Sequence, residues 1–356
     1  MFESRGTHSR VRNLVAALGR QSGVELLAVT GDGPEAGERL GVAHRGFASP
    51  EEGPAALAAA VAAFRPRVVH GHTHKALRLL SEIPAPAVRV ADLHGDRAGE
   101  KLEQSWRPWS QRIRGYLRDR AEDRLLLPRL DAFTVVTEAL ARRVRRFGKP
   151  VAIVPGGVDP ELFRPTPSPP APELRIGYAG NFRPYQGIGQ ILDAAERLVR
   201  QGASVRFRLI GDLAAFPEIG ERARRILGDN LETVPHIPYE EVPAMLAPMD
   251  VLLVPRPDNR TARHGFPSKL PEYLAMGKAV VATRVGDPGR MLRHGENGLL
   301  VAAGSGAELA DALLLLRDPA LRERLGRAAR RDAVERFSWD RVAADLAGFL
   351  RGVARA

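Results

Sequence analysis

The sequence predicts an α/β protein of two similar domains, each built on a parallel sheet. Three observations predict it. Short apolar β-like runs alternate with helical stretches along the chain. The alternation occurs twice, in halves of about 160 to 190 residues, an ordinary domain size. Between the halves lies PELFRPTPSPPAPEL, Pro160–Leu174. The prolines in its centre forbid helix and central strand, so it reads as a linker.

In the first half the strand candidates are Glu25–Thr30, Arg67–Gly71, Val88–Asp92, Ala132–Val136 and Val151–Val154. Helical patterns lie between them at Ser9–Arg20, Ala55–Phe64 and Glu138–Phe147. In the second half the strands are Arg175–Ala179, Val205–Ile210, Leu231–Val234, Asp250–Val254 and Ala279–Thr283. Its helices include Ile188–Arg200, Glu240–Leu246 and Ser268–Met276, and Ala307–Arg317, Ala320–Glu335 and Trp339–Val353 close the chain. The expected domains are 1–164 and 175–338, with a linker at 165–174 and a last helix, 339–356, returning to the first domain. Open α/β sheets bind ligands at the carboxyl ends of their strands, so a cleft between the halves is the expected site. One feature departs from the pattern. Such a domain opens with a central apolar strand, yet only MFESRGTH precedes the first helix. Either the start lies too far downstream, or the first domain is built differently.

The chain has 356 residues, no cysteine and a formal net charge of +11. Disulfides and cysteine metal sites are excluded, which fits a reducing compartment. No apolar run reaches the roughly 18–20 residues of a membrane span, and the first residues carry no signal-peptide core. A cytoplasmic protein is expected. The mostly arginine excess suits an anionic small substrate, an anionic membrane surface or nucleic acid, and it also fits a GC-rich genome. No recognition motif supports nucleic acid.

Most of the functional inference rests on HGFPSKLPEYLAMGKAVVAT, His264–Thr283. Gly265-Phe266-Pro267 makes a turn, and Ser268 is expected to cap the helix that carries Leu270. The first-turn amides form an anion site that suits a diphosphate. Lys269 is expected to add a full positive charge there. Glu272, one turn in, can accept two hydrogen bonds from a ribose diol. Gly277 ends the helix before the next buried strand.

This segment resembles the donor-binding signature of the family-four retaining glycosyltransferases, of bacterial polysaccharide and envelope type. The resemblance implies the GT-B fold, two Rossmann-like domains facing across a cleft. It makes Glu272 the ribose ligand, while the family's other usual glutamate falls on His264. YAGNFRPYQG, Tyr178–Gly187, resembles the family's phosphate-binding loop, with Gly180 at its turn. Asn181 and Gln186 stand where an arginine and a lysine are usual, and Arg183 is the nearby cation. VPHIP places His236 and Ile237 where the nucleotide base would lie. RGTHSRVRNLVAAL, Arg5–Leu18, resembles the glycine loop and first helix, with Gly6 as the matching glycine. In VADLHGD, His94 sits where relatives keep a catalytically important histidine; its other reading is a histidine paired to local backbone.

The resemblance implies sugar transfer from a nucleotide-diphosphate donor with retention, His94, Arg183 and Lys269 being the catalytic candidates. No Asp-x-Asp pair occurs, so neither metal nor cofactor is expected. His70, His72 and His74 alternate in VVHGHTH without the further ligands a metal needs. Trp106–Arg129 combines two tryptophans, a tyrosine and seven arginines. Trp106, Trp109, Arg112 and Tyr116 suit contact with an anionic membrane surface, on the inner face of the cell membrane, and also an ordinary amphipathic helix. The acceptor is then a glycan or lipid-linked precursor. Two alternatives stand beside transfer: an inactive donor-binding partner protein, and a nucleotide-sugar 2-epimerase.

Overall fold

A computed structural model describes residues 5–30, 42–46, 52–74, 76–104, 107–167 and 169–355. The chain divides into two compact units. The first takes in Met1–Gly157, His264–Phe266 and Trp339–Ala356; the second takes in Val158–Arg263 and Pro267–Ser338.

In the first unit a helix, Arg5–Gly19, precedes β1 (Leu27–Thr30) and β2 (Ala43–Gly46). Then come β3 (Val68–His72), β4 (Val88–Leu93), β5 (Ala132–Val135) and β6 (Val151–Ile153). All pairings are parallel. Among the described residues they make two sheets, β1-β2 and β3-β4-β5-β6. In a doubly wound order the opening strand lies between the second strand and the fourth. The break between β1 and β3 falls at that place. β5 is buried along its whole length and β4 from Val90 to Leu93, as expected where helices cover both faces of a sheet. One core layer joins Leu77, Leu93, Phe133 and Leu140. Another sets Leu14, Ala17 and Leu18 of the first helix against Trp339, Val342 and Leu346 of the last.

The second unit carries β7 (Leu174–Ala179), β8 (Val205–Ile210), β9 (Leu231–Val234), β10 (Val251–Val254), β11 (Ala279–Thr283) and β12 (Leu299–Val301). Their order is β12-β11-β10-β7-β8-β9, parallel throughout, the doubly wound arrangement. The chain reverses its winding between β7 and β10, so the carboxyl ends of those strands are where such a sheet is expected to bind a ligand. Its core runs through Ile176, Tyr178, Phe182, Phe207 and Leu253.

The structure differs from the sequence expectations at a few elements. The first helix starts at Arg5, not Ser9, and Gly6 lies in its first turn instead of a loop. The strand Ala43–Gly46 has no apolar alternation to announce it. Ser268 occupies the position before the helix Lys269–Ala275, but its backbone is already helical and its side chain makes no capping bond. That helix is shorter than expected at both ends, and Gly277 follows it.

Candidate functional site

The second unit gathers its charged groups where β7 and β10 end. The loop leaving β7 passes Gly180 and returns through Gln186 and Gly187 to the helix Ile188–Arg200. At Gly187, φ is 73°, and a Cβ there would stand 1.5 Å from the Pro255 carbonyl oxygen. Only glycine lets this loop lie on the end of β10. At Gly180, φ is 144°, and a Cβ would stand 2.7 Å from Lys269 Nζ.

Lys269 reaches this point because its helix is pinned to β7. The Tyr273 hydroxyl accepts from the Ala179 amide at 2.8 Å and donates to the Ala179 carbonyl at 3.3 Å. The Lys269 ammonium donates to Gln186 Oε1 at 3.0 Å. It also lies 3.9 Å from the centroid of the buried Tyr178 ring. The residue is 9% exposed. Burial and, to a smaller extent, the charge of Arg256 lower its pKa from 10.5 to about 7, with Glu272 opposing both. A fully charged lysine was expected here. The correction is physical: a dipole and a ring face replace water, and among the described residues no carboxylate pairs directly with the ammonium.

Glu272 lies next along the same helix and is half-buried. Tyr239 donates to its Oε1 at 3.0 Å, and the Tyr239 ring packs on Phe163 at 5.3 Å between centroids. Burial raises the Glu272 pKa from 4.5 to about 7, against the pull of Tyr239 and Lys269. Arg256, 5% exposed, donates to the Thr261 carbonyl at 3.3 Å. The helix amides offer less than expected. Pro271 has no N–H, and the Leu270 amide is bonded to the Pro267 carbonyl. Attraction for an anion therefore falls mainly to side chains.

The cluster unites Gly180, Gln186, Lys269 and Glu272. Asn181 builds the loop: its Oδ1 accepts from the Arg183 amide at 3.2 Å, and its Nδ2 donates to the Tyr185 hydroxyl at 3.5 Å. Arg183 is exposed on that loop. Exposed His236 and half-buried Ile237 follow β9. Leu270 is fully buried and Pro267 is buried, so both pack the interior. Phe266 belongs to the first unit, where a Cβ on Gly156 would lie 2.5 Å from its ring. In the same unit the His264 carbonyl accepts from Thr137 Oγ1 at 3.1 Å, and Gly265 follows it. Tyr178 and Tyr239 were not expected in the site. Tyr178 reads in sequence as a strand core residue, and nothing local marks Tyr239 as a partner for Glu272.

In the first unit His94 belongs to a second cluster, centred on fully buried Asp92 at the end of β4. Asp92 Oδ2 lies 2.6 Å from His94 Nε2, 2.9 Å from His72 Nδ1 and 3.3 Å from an Arg10 guanidinium nitrogen. Oδ1 accepts from Thr134 Oγ1 at 2.8 Å, and that hydroxyl lies 2.9 Å from His70 Nε2. Arg10 also donates to the carbonyls of Val154 and Pro155, at 2.9 and 2.7 Å. Burial alone would raise the Asp92 pKa, but Arg10 and the two histidines hold it well below the usual range. Burial lowers His94, and lowers His70 to about 3, so both rings are neutral. His70, His72 and Asp92 present ligand atoms within 4.8 Å of one another. The same carboxylate already faces the Arg10 guanidinium, a charge arrangement that opposes a metal cation.

Lys269→Met is expected to raise the unfolding midpoint at neutral pH, because it removes a buried group whose charged form the fold disfavours. With a folded pKa of about 7 against an ordinary 10.5, the unfolded chain binds the extra proton between those values. The gain is therefore largest at and below pH 7 and shrinks as pH rises toward 10.5. Thermal melts across that range check it; a midpoint lowered at every pH contradicts it.

Two family profiles match the chain: one described as Glycosyltransferase Family 4 over residues 4–162, the other as Glycosyl transferases group 1 over residues 173–318. A D-inositol 3-phosphate glycosyltransferase of Pseudarthrobacter chlorophenolicus is 32% identical over 195 residues, which are 53% of this chain and 42% of that one. The matched stretch thus spans less than half of that relative's length. Sucrose-phosphate synthase from Thermosynechococcus elongatus superposes with a TM-score of 0.77 at 20% identity, covering 96% of this chain and 92% of that one. Anabaena HepE, solved in complex with UDP and glucose, gives 0.73 at 18% identity, covering 98% and 96%. The doubly wound order of the second unit and the two profile matches, which together take in nearly the whole chain, agree: the protein belongs to the group 1, family 4 glycosyltransferases and has their two-domain α/β GT-B fold.

Proposed function

We propose that the chain transfers a sugar from a nucleoside-diphosphate donor, with UDP-sugars the first class to test, to a glycan or lipid-linked acceptor, with retention. One observation carries the reading: Lys269 and Glu272 lie one helical turn apart at the switch point of the second sheet. In this reading the diphosphate draws on Lys269 and Arg256 as leaving-group charge develops. Glu272 accepts both hydroxyls of the ribose, its Oε1 already oriented by Tyr239. Bound phosphate compensates the desolvated ammonium and restores its charge. The acceptor hydroxyl attacks from the face the nucleotide leaves, and its proton passes to a phosphate oxygen. Because side-chain cations supply the charge, the reaction proceeds without a divalent ion. HepE, bound to UDP and glucose, lends support at the level of the fold.

A second reading, a donor-binding protein without transfer, is favoured by Asn181 and Gln186 in place of the usual basic residues. Donor binding with no release of UDP from any nucleotide-sugar in the presence of acceptor glycans would select it.

The acceptor side draws on the helix Trp109–Leu126. Trp109, Leu117 and Leu125 are 63%, 58% and 57% exposed. Arg114, Arg118 and Arg124 are exposed among them, and the Arg112 guanidinium stacks 5.0 Å from the Trp109 ring. Tyr116 is half-buried, and Trp106 lies outside the described residues. Apolar side chains amid arginines suit an anionic lipid surface, which supports a peripheral position on the cytoplasmic face of the membrane.

Glu272→Ala is expected to weaken UDP binding by about 1.5–3 kcal/mol, as for hydrogen bonds to a charged group. Calorimetric titration checks it, and unchanged affinity contradicts the assignment. Vesicles containing phosphatidylglycerol are expected to retain the protein at low salt and release it at high salt, with Trp109→Glu abolishing retention. Failure to float with such vesicles at low salt rules out the membrane surface.

A further inference from the structure

We propose that Asp92 is a positioning residue that acts through His94: it locks the imidazole in the Nε2–H tautomer, leaving Nδ1 as a hydrogen-bond acceptor for a sugar hydroxyl. The inference rests on the glycosyl-transfer reading above, but its geometry lies wholly within the first unit.

An ionised carboxylate only accepts hydrogen bonds. Asp92 Oδ2 is 2.6 Å from His94 Nε2, so that nitrogen carries the proton. The same rule puts a proton on His72 Nδ1, at 2.9 Å from the same oxygen. The Thr134 hydroxyl spends its hydrogen on Asp92 Oδ1, so it must accept from His70 Nε2–H. One carboxylate thus fixes which contacting nitrogen of each of the three histidines carries a proton. Arg10, held in turn by two backbone carbonyls, keeps that carboxylate ionised.

In neutral His94 the other nitrogen, Nδ1, is then a bare lone pair. It is buried and has no hydrogen-bond partner among the described residues, although the side chain as a whole keeps 13% of its exposure. An unsatisfied buried acceptor costs stability, and its retention calls for a reason. His70 and His72 have their contacting nitrogens accounted for on the Asp92–Thr134 side; His94 alone combines a fixed tautomer with an orphaned buried nitrogen. A lone pair selects a partner that donates. A sugar hydroxyl does so, and a phosphate oxygen does not. Asp92 therefore sets which chemical group His94 is able to recognise.

Nitrogen-15 histidine spectra of the full chain test the tautomer without any substitution. His94, assigned by loss of its signal in His94→Gln, is expected to show a protonated Nε2 and a lone-pair Nδ1. A protonated Nδ1 overturns the proposal by itself. In Asp92→Asn the His94 signals are expected to shift to a tautomer mixture. UDP affinity is expected to stay within about threefold of the parent, while kcat for UDP release from UDP-glucose falls at least tenfold, roughly, with little change in KM. A purely structural role predicts equal losses in both; that result, or an unchanged kcat in a variant whose tautomer has changed, overturns the proposal. If the parent chain binds no UDP, the donor-binding reading fails while the tautomer result still stands or falls on its own spectrum.

Discussion

The second unit is organised around one incompletely compensated group: the buried ammonium of Lys269, which Glu272 offsets only in part. Most buried lysines are paired or neutralised. This one has a tyrosine face, a glutamine oxygen and a nearby arginine that repels it. The surrounding structure is built to hold it there. Tyr273 pins its helix to β7, and Gly180 and Gly187 admit the loop where any side chain would collide. Packing of the doubly wound sheet supplies the rigidity that sustains this arrangement. A site held short of countercharge is one that gains from receiving an anion.

Asp92 follows the opposite logic. Its charge is also removed from water, yet four donors converge on it and hold it ionised. The two clusters differ in charge balance. One is left short of negative charge, which a diphosphate would supply in the proposed reading. The other is fully satisfied, which favours fixed orientation of the rings around it. Glu272 lies between these extremes, buried enough to be raised to about 7 and oriented by one tyrosine.

Much of this was legible in the sequence. The apolar runs of AVVAT and VLLV announced buried parallel strands, and GFPSKLPEYLAMGK announced a turn, a short helix and a glycine stop. The strand AHRG was not legible, because its pairing with β1 rather than its own pattern makes it a strand. Ser268 misled, since a serine before a helix usually caps it; here the helical backbone begins at the serine itself. The charge state of Lys269 was out of reach. It depends on Tyr178, Gln186 and Arg256, which sequence separation hides and sheet topology brings together. The Asp92 network was hidden for the same reason: Arg10, His72, His94 and Thr134 come from different elements and meet only at strand ends.

The most direct measurement is the number of protons exchanged when UDP binds, obtained by calorimetry in buffers of differing ionisation enthalpy. A lysine with a pKa of about 7 in the free protein is partly unprotonated at neutral pH, and a bound diphosphate raises that value. Because Glu272 also titrates at about 7 and must be ionised to accept the ribose hydroxyls, the lysine's share is read as the difference between parent and Lys269→Met, and the parent is expected to take up more protons than the variant at neutral pH. Equal proton exchange in the two would contradict it.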